Sequence, residues 1–244
     1  MDLTIHAFGK SDTGLIRKNN EDSFAVDIQA GFCTVADGMG GAAAGEIASS
    51  IFVETAAEIF SKHGSFSEEL RVGHMQQAFI TANQRILDHI KSNPDHAGMG
   101  CTAELLAITD EGFVLGHMGD SRTYRLRNGQ LKLLTKDHSL VQDQLDQGII
   151  TPEQAAKHLQ RNVILRAVGT TQNPSLDLVR GRTYPGDLFL LCSDGLTDMV
   201  SDETILQALR QYPRLPEAAD VLIALAKDGG GKDNVTVVLM HIES

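Results

Sequence analysis

The sequence has no excess of positive charge. Lys and Arg number 21 against 32 Asp and Glu in 244 residues, a formal net charge of −11. A nucleic-acid binder needs a basic face for the phosphate backbone, and docking on an anionic membrane needs the same. Neither partner is expected. Cysteine is scarce too: Cys33, Cys101 and Cys192 are odd in number, far apart and never form C-x-x-C. This argues against a disulfide scaffold and against a cysteine-ligated zinc site. None of the nine histidines forms an i, i+4 pair, which disfavours a histidine-rich zinc site. Long apolar runs are missing as well; none approaches the ~20 residues of a transmembrane helix. Met1-Asp2-Leu3 opens without a basic region followed by an apolar one, so the expectation is a cytoplasmic protein without a signal peptide. What is present is a hydrophobic fraction of 42%, enough for a large core and too much for a disordered chain. This length predicts one domain over residues 1–244, with two domains as the alternative.

Periodicity gives the coarse organisation. Strands are predicted over 3–8, 22–28 and 31–36, with a polar loop from Gly9 to Asn20. Apolar residues spaced by four (Ile47, Ile51, Ile59) predict a helix over 42–60. Met75, Phe79, Ala82, Ile86 and Ile90 predict a second over 66–90, with Ser65 and Glu68 as its capping box. Short strands follow at 102–109, 112–117, 123–127 and 131–134, the last two joined by Asn128-Gly129, a hairpin signal. Residues 138–170 break the rhythm and read as an insertion over the surface, with Pro152 at a helix start. Strands at 176–183 and 187–192, helices at 202–211 and 215–227, and a strand at 234–241 complete the chain. The last strand is apolar on both faces, so it lies between two packed layers. Strands, helix pair, strands, helix pair, strand is not a βαβ alternation. It predicts α+β, with sheets inside and helices outside.

Several acidic residues stand where strands begin or end: Asp22 beside Glu21, Asp37-Gly38, Gly119-Asp120, Asp194-Gly195 and Asp233-Asn234. Each alone reads as a turn residue. Asp198 alone reads as a helix-start residue favoured by the helix dipole, and Arg17 as a solvated loop residue. If the strand ends converge, however, the carboxylates cannot all stay ionised without cations. Oxygen-only donors suit hard ions such as Mg²⁺ or Mn²⁺.

The ordered set of motifs carries more than any one of them. Arg17-Lys18-Asn19-Asn20-Glu21-Asp22 and Val35-Ala36-Asp37-Gly38-Met39-Gly40-Gly41 come first. Gly100-Cys101-Thr102-Ala103, Gly119-Asp120-Ser121-Arg122 and Asp137-His138-Ser139-Leu140 follow. Ser193-Asp194-Gly195-Leu196-Thr197-Asp198 and Lys232-Asp233-Asn234-Val235-Thr236 close the series. Together they resemble the metal-dependent Ser/Thr protein phosphatases (the PPM family, protein phosphatase 2C class) of the bacterial type, over about residues 9–240.

The resemblance implies a four-layer α-β-β-α sandwich: two central antiparallel sheets flanked by helix pairs, with the insertion at about 138–170 as a flap. It implies two Mn²⁺ or Mg²⁺ ions, with Asp37 bridging them, the Gly38 carbonyl on one, and Asp194 and Asp233 on the other. Asp120 with Asp194 would hold a third. Glu21, Asp22 and Asn234 would orient ligands and waters, and Arg17 would bind the substrate phosphate. The implied activity is hydrolysis of phosphoserine and phosphothreonine by a hydroxide bridging the metals. Two ions about 4 Å apart lower the pKa of a shared water, in a reaction class whose acceleration can approach about 10²¹-fold. The implied partners are phosphorylated proteins, including a eukaryotic-like Ser/Thr kinase that the enzyme opposes in signalling; the family default is a monomer. Many eukaryotic members place a His after the Asp-Gly as general acid, where this chain has Met39. A metal-bound water is then the first candidate for proton donor, and His158 the second.

Other readings are weaker. Gly38-x-Gly40-x-x-Ala43 mimics a dinucleotide fingerprint, but Asp37 would face the pyrophosphate and no parallel strand follows the helix. Gly229-Gly230-Gly231-Lys232 lacks the Ser/Thr of a phosphate-binding loop, and Ser193 lacks the first Gly of a nucleophile elbow. A non-catalytic relative would show a missing carboxylate, and none is missing. A phosphatase for small phosphoesters would share the same centre.

Overall fold

Which side of each strand is apolar decides the layering. The computed structural model describes residues 4–40, 44–61, 66–155 and 157–243. One sheet runs in the order β1 (Ile5–Asp12), β11 (Val235–Ile242), β10 (Leu188–Cys192), β7 (Arg122–Arg127), β8 (Gln130–Leu133). The other runs β2 (Asp22–Asp27), β3 (Phe32–Met39), β5 (Ala103–Ile108), β6 (Gly112–Met118), β9 (Asp177–Arg182), with the short β4 (Gly100–Cys101) also paired to β3. All of these pairings are antiparallel.

Alternate side chains feed different cores. On β11, Val238, Met240 and Ile242 meet Phe189 and Leu191 of β10 and Cys33, Val35, Leu106 and Leu115 of the other sheet. Phe113 and Phe189 close this middle layer edge to face, ring centroids 5.0 Å apart. Val235, Val237 and Leu239 turn the other way, onto α6 (Asp202–Gln211) and α7 (Leu215–Asp228) through Ile205, Leu209 and Leu222. The second sheet's outer face, with Phe32, Leu105 and Val114, packs on α1 (Gly45–Phe60) and α2 (Glu68–Ser92) through Phe52, Phe60, Met75 and Phe79. Three cores separate four layers, the α-β-β-α sandwich that the element order and the resemblance imply. Both faces of each sheet are buried because helices cover the outer ones, so the central strands read as apolar on both sides.

Local chemistry sets the boundaries. Asn128 and Gly129 both have positive φ, 49° and 73°, the geometry of the two-residue turn that matches strand twist. The Ser67 side chain caps α2, accepting from the Leu70 amide at 3.4 Å; Ser65 of the expected capping box lies outside the described residues. So do Met1–Leu3 and positions 41–43, including the expected strand and helix starts. The polar stretch after Gly9 is not all loop. Gly9 to Asp12 continue β1 against Val238 to Val235, and Lys10 and Asp12 are tied to Asp220 and Lys227 of α7 at 2.5 and 2.9 Å. Charged partners on a covering helix let a polar segment remain a strand.

The segment 138–170 leaves and returns at one place. Ser139 caps α3 (Leu140–Asp146) and bridges to Ile164, while Val168 bridges to Cys101. A second short helix, α4 (Pro152–Ala155), begins at the expected proline. Among the described residues no helix is long and apolar enough to cross a membrane.

Candidate metal centre

The turns at one end of the sandwich bring the acidic residues together. Asp22 opens β2 and Asp37 stands directly opposite it near the end of β3. Like charges facing each other across a strand pair are destabilising by themselves. Asp120 follows Gly119, whose φ of 117° re-aims the chain as β6 ends. Asp194 opens the one-turn helix α5 (Asp194–Thr197) directly after β10. Asp233 precedes β11. Asp37, Asp120, Asp194 and Asp233 line one cleft of about 480 Å³ together with Glu21 and Gly38. A second lobe of about 380 Å³ adjoins it, sharing Asp120, Asp194 and Asn162.

Hydrogen bonds fix these turns. Asp37 is held through its backbone at both ends: its amide donates to the Thr102 hydroxyl at 3.0 Å and its carbonyl accepts from the Thr102 amide at 2.8 Å. Asn234 ties the connection between β1 and β2 to the start of β11: its side-chain oxygen accepts from the Glu21 amide at 2.8 Å, and its Nδ2 donates to the carbonyls of Thr13 and Asn19 at 3.0 and 2.9 Å. Gly38 leaves no room for a side chain, since a Cβ there would lie 2.1 Å from the Gly45 carbonyl oxygen. Asp22 sits behind the cleft. The Ser193 hydroxyl donates to its Oδ2 at 2.7 Å, while the buried Oδ1 has no hydrogen-bond partner among the described residues.

Electrostatics follow from crowding. Burial, then the charges of Asp22, Asp194, Asp120 and Asp233, pushes the Asp37 carboxyl well above the usual carboxylate range. Burial, then Asp120, Asp198 and Asp233, does the same to Asp194. Asp120 is pushed up to about 7 by burial and Asp137, and Asp22 to about 6 by burial outweighing its hydroxyl partners. Glu21 is raised by burial and by Asp233 and Glu46, against the pull of Arg17. Arg17 donates to Asp233 at 2.7 Å, which raises its own pKa.

Divalent cations fit this donor set. The donors are all oxygens, opposed carboxylates raise one another, and a buried Asp22 oxygen stands without a hydrogen-bond partner among the described residues. Among the described residues no three His, Cys, Asp or Glu side chains are gathered around one point. Ions of the Mg²⁺ kind are bound through one or two carboxylates and keep several waters, so carboxylates spread around a cleft suit them.

Of the residues singled out in the sequence, Arg17, Glu21, Asp37, Gly38, Asp120, Asp194 and Asp233 border this cleft, with Asp22 and Asn234 behind it. His158 does not; it opens on a separate surface groove beside Ile150 and Lys157. Asp198 does not start a helix but caps the end of α5, paired with Arg161 at 2.8 Å. Sequence reasoning missed Asn162, which borders both lobes from the 138–170 segment, because no pattern around it carried a signal.

Comparison with known proteins agrees with the fold and the motifs. A family model described as protein phosphatase 2C matches residues 17–228. The Ser/Thr protein phosphatase PstP of Mycobacterium tuberculosis is 43% identical over 241 residues, 98% of this chain, and the chain spans 45% of that protein's length. The Ser/Thr phosphatase Stp of Listeria monocytogenes is 37% identical over 243 residues, covering 97% of this chain and 96% of that one. The structure of the PstP catalytic domain in complex with two manganese ions superposes with a TM-score of 0.89 at 40% identity, covering 99% of this chain and 100% of that one. With a family model matched over most of its length and relatives of this identity and fold, the chain belongs to the protein phosphatase 2C family.

Proposed function

We propose that this chain is a Mn²⁺- or Mg²⁺-dependent phosphatase that hydrolyses phosphoserine and phosphothreonine in proteins. The observation that carries this reading is the convergence of Asp37, Asp120, Asp194 and Asp233 on one cleft that Arg17 also borders. Asp37 with the Gly38 carbonyl, and Asp194 with Asp233, would hold two ions; Asp120 with Asp194 would hold a third. The ions supply Lewis-acid charge neutralisation and a water acidic enough to attack phosphorus near neutral pH. The protein's own groups do the rest. Asp22, Glu21 and Asn234 hold the cleft's turns in place. Arg17 offers a planar fork of donors to the substrate phosphate, which competes with Asp233 for it. Met39 has no proton to give and His158 lies outside the cleft, so neither side chain protonates the leaving seryl or threonyl oxygen.

The family resemblance further supports a cytoplasmic, monomeric enzyme, with residues 1–244 as a single catalytic domain and 138–170 as its flap, opposing a Ser/Thr kinase in bacterial signalling. PstP and Stp are named as Ser/Thr phosphatases, which supports the substrate class. The test compares phosphoserine, phosphothreonine and phosphotyrosine peptides of one sequence in Mn²⁺. Turnover of the first two well above the third is expected; equal or higher turnover of phosphotyrosine overturns the assignment.

A further inference from the structure

Two basic side chains border the carboxylate cleft, Arg17 and Lys18. Arg17 is committed to Asp233 at 2.7 Å. Lys18 is exposed and has no ion-pair or hydrogen-bond partner among the described residues. Four other lysines pair with carboxylates, Lys10 with Asp220, Lys91 with Asp88, Lys136 with Asp146 and Lys227 with Asp12, while Lys132, Lys157 and Lys232 have no carboxylate partner among the described residues. Among the described residues Lys18 alone of these unpaired lysines borders the carboxylate cleft, where its charge can meet an anion bound beside Arg17. Its α-carbon is about 3.8 Å from that of Arg17, and an extended peptide rises about 3.3 Å per residue. Asn162, which also borders the cleft, has a side-chain amide with no partner among the described residues. An amide offers the donor and acceptor that a peptide backbone needs.

We infer that Lys18 is a specificity-determining residue that selects phosphopeptides carrying an anionic group, a carboxylate or a second phosphate, within two residues of the phosphorylated one. The inference rests on the phosphatase reading above. It runs opposite to what bulk charge alone implies, since a chain of net charge −11 should favour basic peptides.

The test uses the whole chain loaded with Mn²⁺ and phosphothreonine peptides that differ only in the neighbouring residues: Glu, Gln, Lys or phosphoserine. The wild type should show kcat/KM about two- to five-fold higher for Glu than for Lys neighbours, the scale of one exposed ion pair. The ranking of Glu against phosphoserine tells which anion is preferred, and either above Gln supports the inference. Lys18→Ala should flatten the series, Lys18→Glu should invert it, and high salt should compress it. A wild type that favours Lys neighbours, or an order unmoved by Lys18→Glu, overturns the inference. Absence of turnover on p-nitrophenyl phosphate by the wild type instead overturns the phosphatase reading itself.

Discussion

Asp22 and Asp37 face each other on neighbouring strands, and the charges of Asp120, Asp194 and Asp233 reach Asp37 as well. Such a set costs stability when no cation is present and is useful only when one is. Asp37→Asn should therefore abolish phosphatase turnover while raising the melting temperature in EDTA. For a chain of this size each kcal/mol recovered is worth about 2–4 °C. Thermal unfolding in EDTA and in Mn²⁺ checks this; a lower melting temperature in EDTA would show that Asp37 is not repelled by its neighbours. Arg17 makes a different prediction. Its guanidinium is held near the cleft by Asp233 and would meet the substrate in the ground state, so Arg17→Ala should raise KM for phosphopeptides more than it lowers kcat. Steady-state kinetics decide, and an unchanged KM removes Arg17 from phosphate binding. At this scale the acidic residues were legible because each sits in a strand-end motif of recognisable order. Lys18 and Asn162 were not: a missing partner exists only in three dimensions.

At the scale of elements, the place of β11 between two packed layers was readable because each of its faces meets its own apolar core. The polar end of β1 was not, because its charges are answered by α7, far away in sequence. Nor was the buried polar pair between the sheets. Glu104 on β5 and His117 on β6 are fully buried and bonded to each other. Glu104 also accepts from the Thr123 hydroxyl at 2.5 Å, and His117 Nε2 from its other side meets the Lys136 carbonyl at 2.8 Å. Burial alone would lower the His117 pKa, but the Glu104 carboxylate outweighs it and holds the imidazole at about 9; Glu104 itself is raised by burial, against His117. A histidine raised above its unfolded value of about 6.5 stabilises fully below that pH and loses the contribution as pH climbs through about 9. His117→Ala leaves Glu104 buried without its cation, at a cost of about 3–5 kcal/mol. A Glu104→Leu/His117→Leu double variant should recover much of that loss and flatten the stability profile between pH 7 and 9.5. Denaturant unfolding across that range measures it, and a single variant as stable as the wild type would mean that the pair is not ionic.

Taken whole, the molecule is acidic in aggregate and acidic again at its cleft. Two divalent ions would bring the formal net charge from −11 to about −7, but the local change matters more: a cleft that repels a phosphate dianion becomes one that attracts it. Catalysis and charge compensation are then the same event, which makes metal dependence the centre of the account. The direct measurement is phosphate release from a phosphothreonine peptide by the purified chain, stripped with EDTA and then resupplied with Mn²⁺ or Mg²⁺. No turnover is expected in EDTA, and its return is expected with either ion. Full turnover in EDTA would contradict metal dependence.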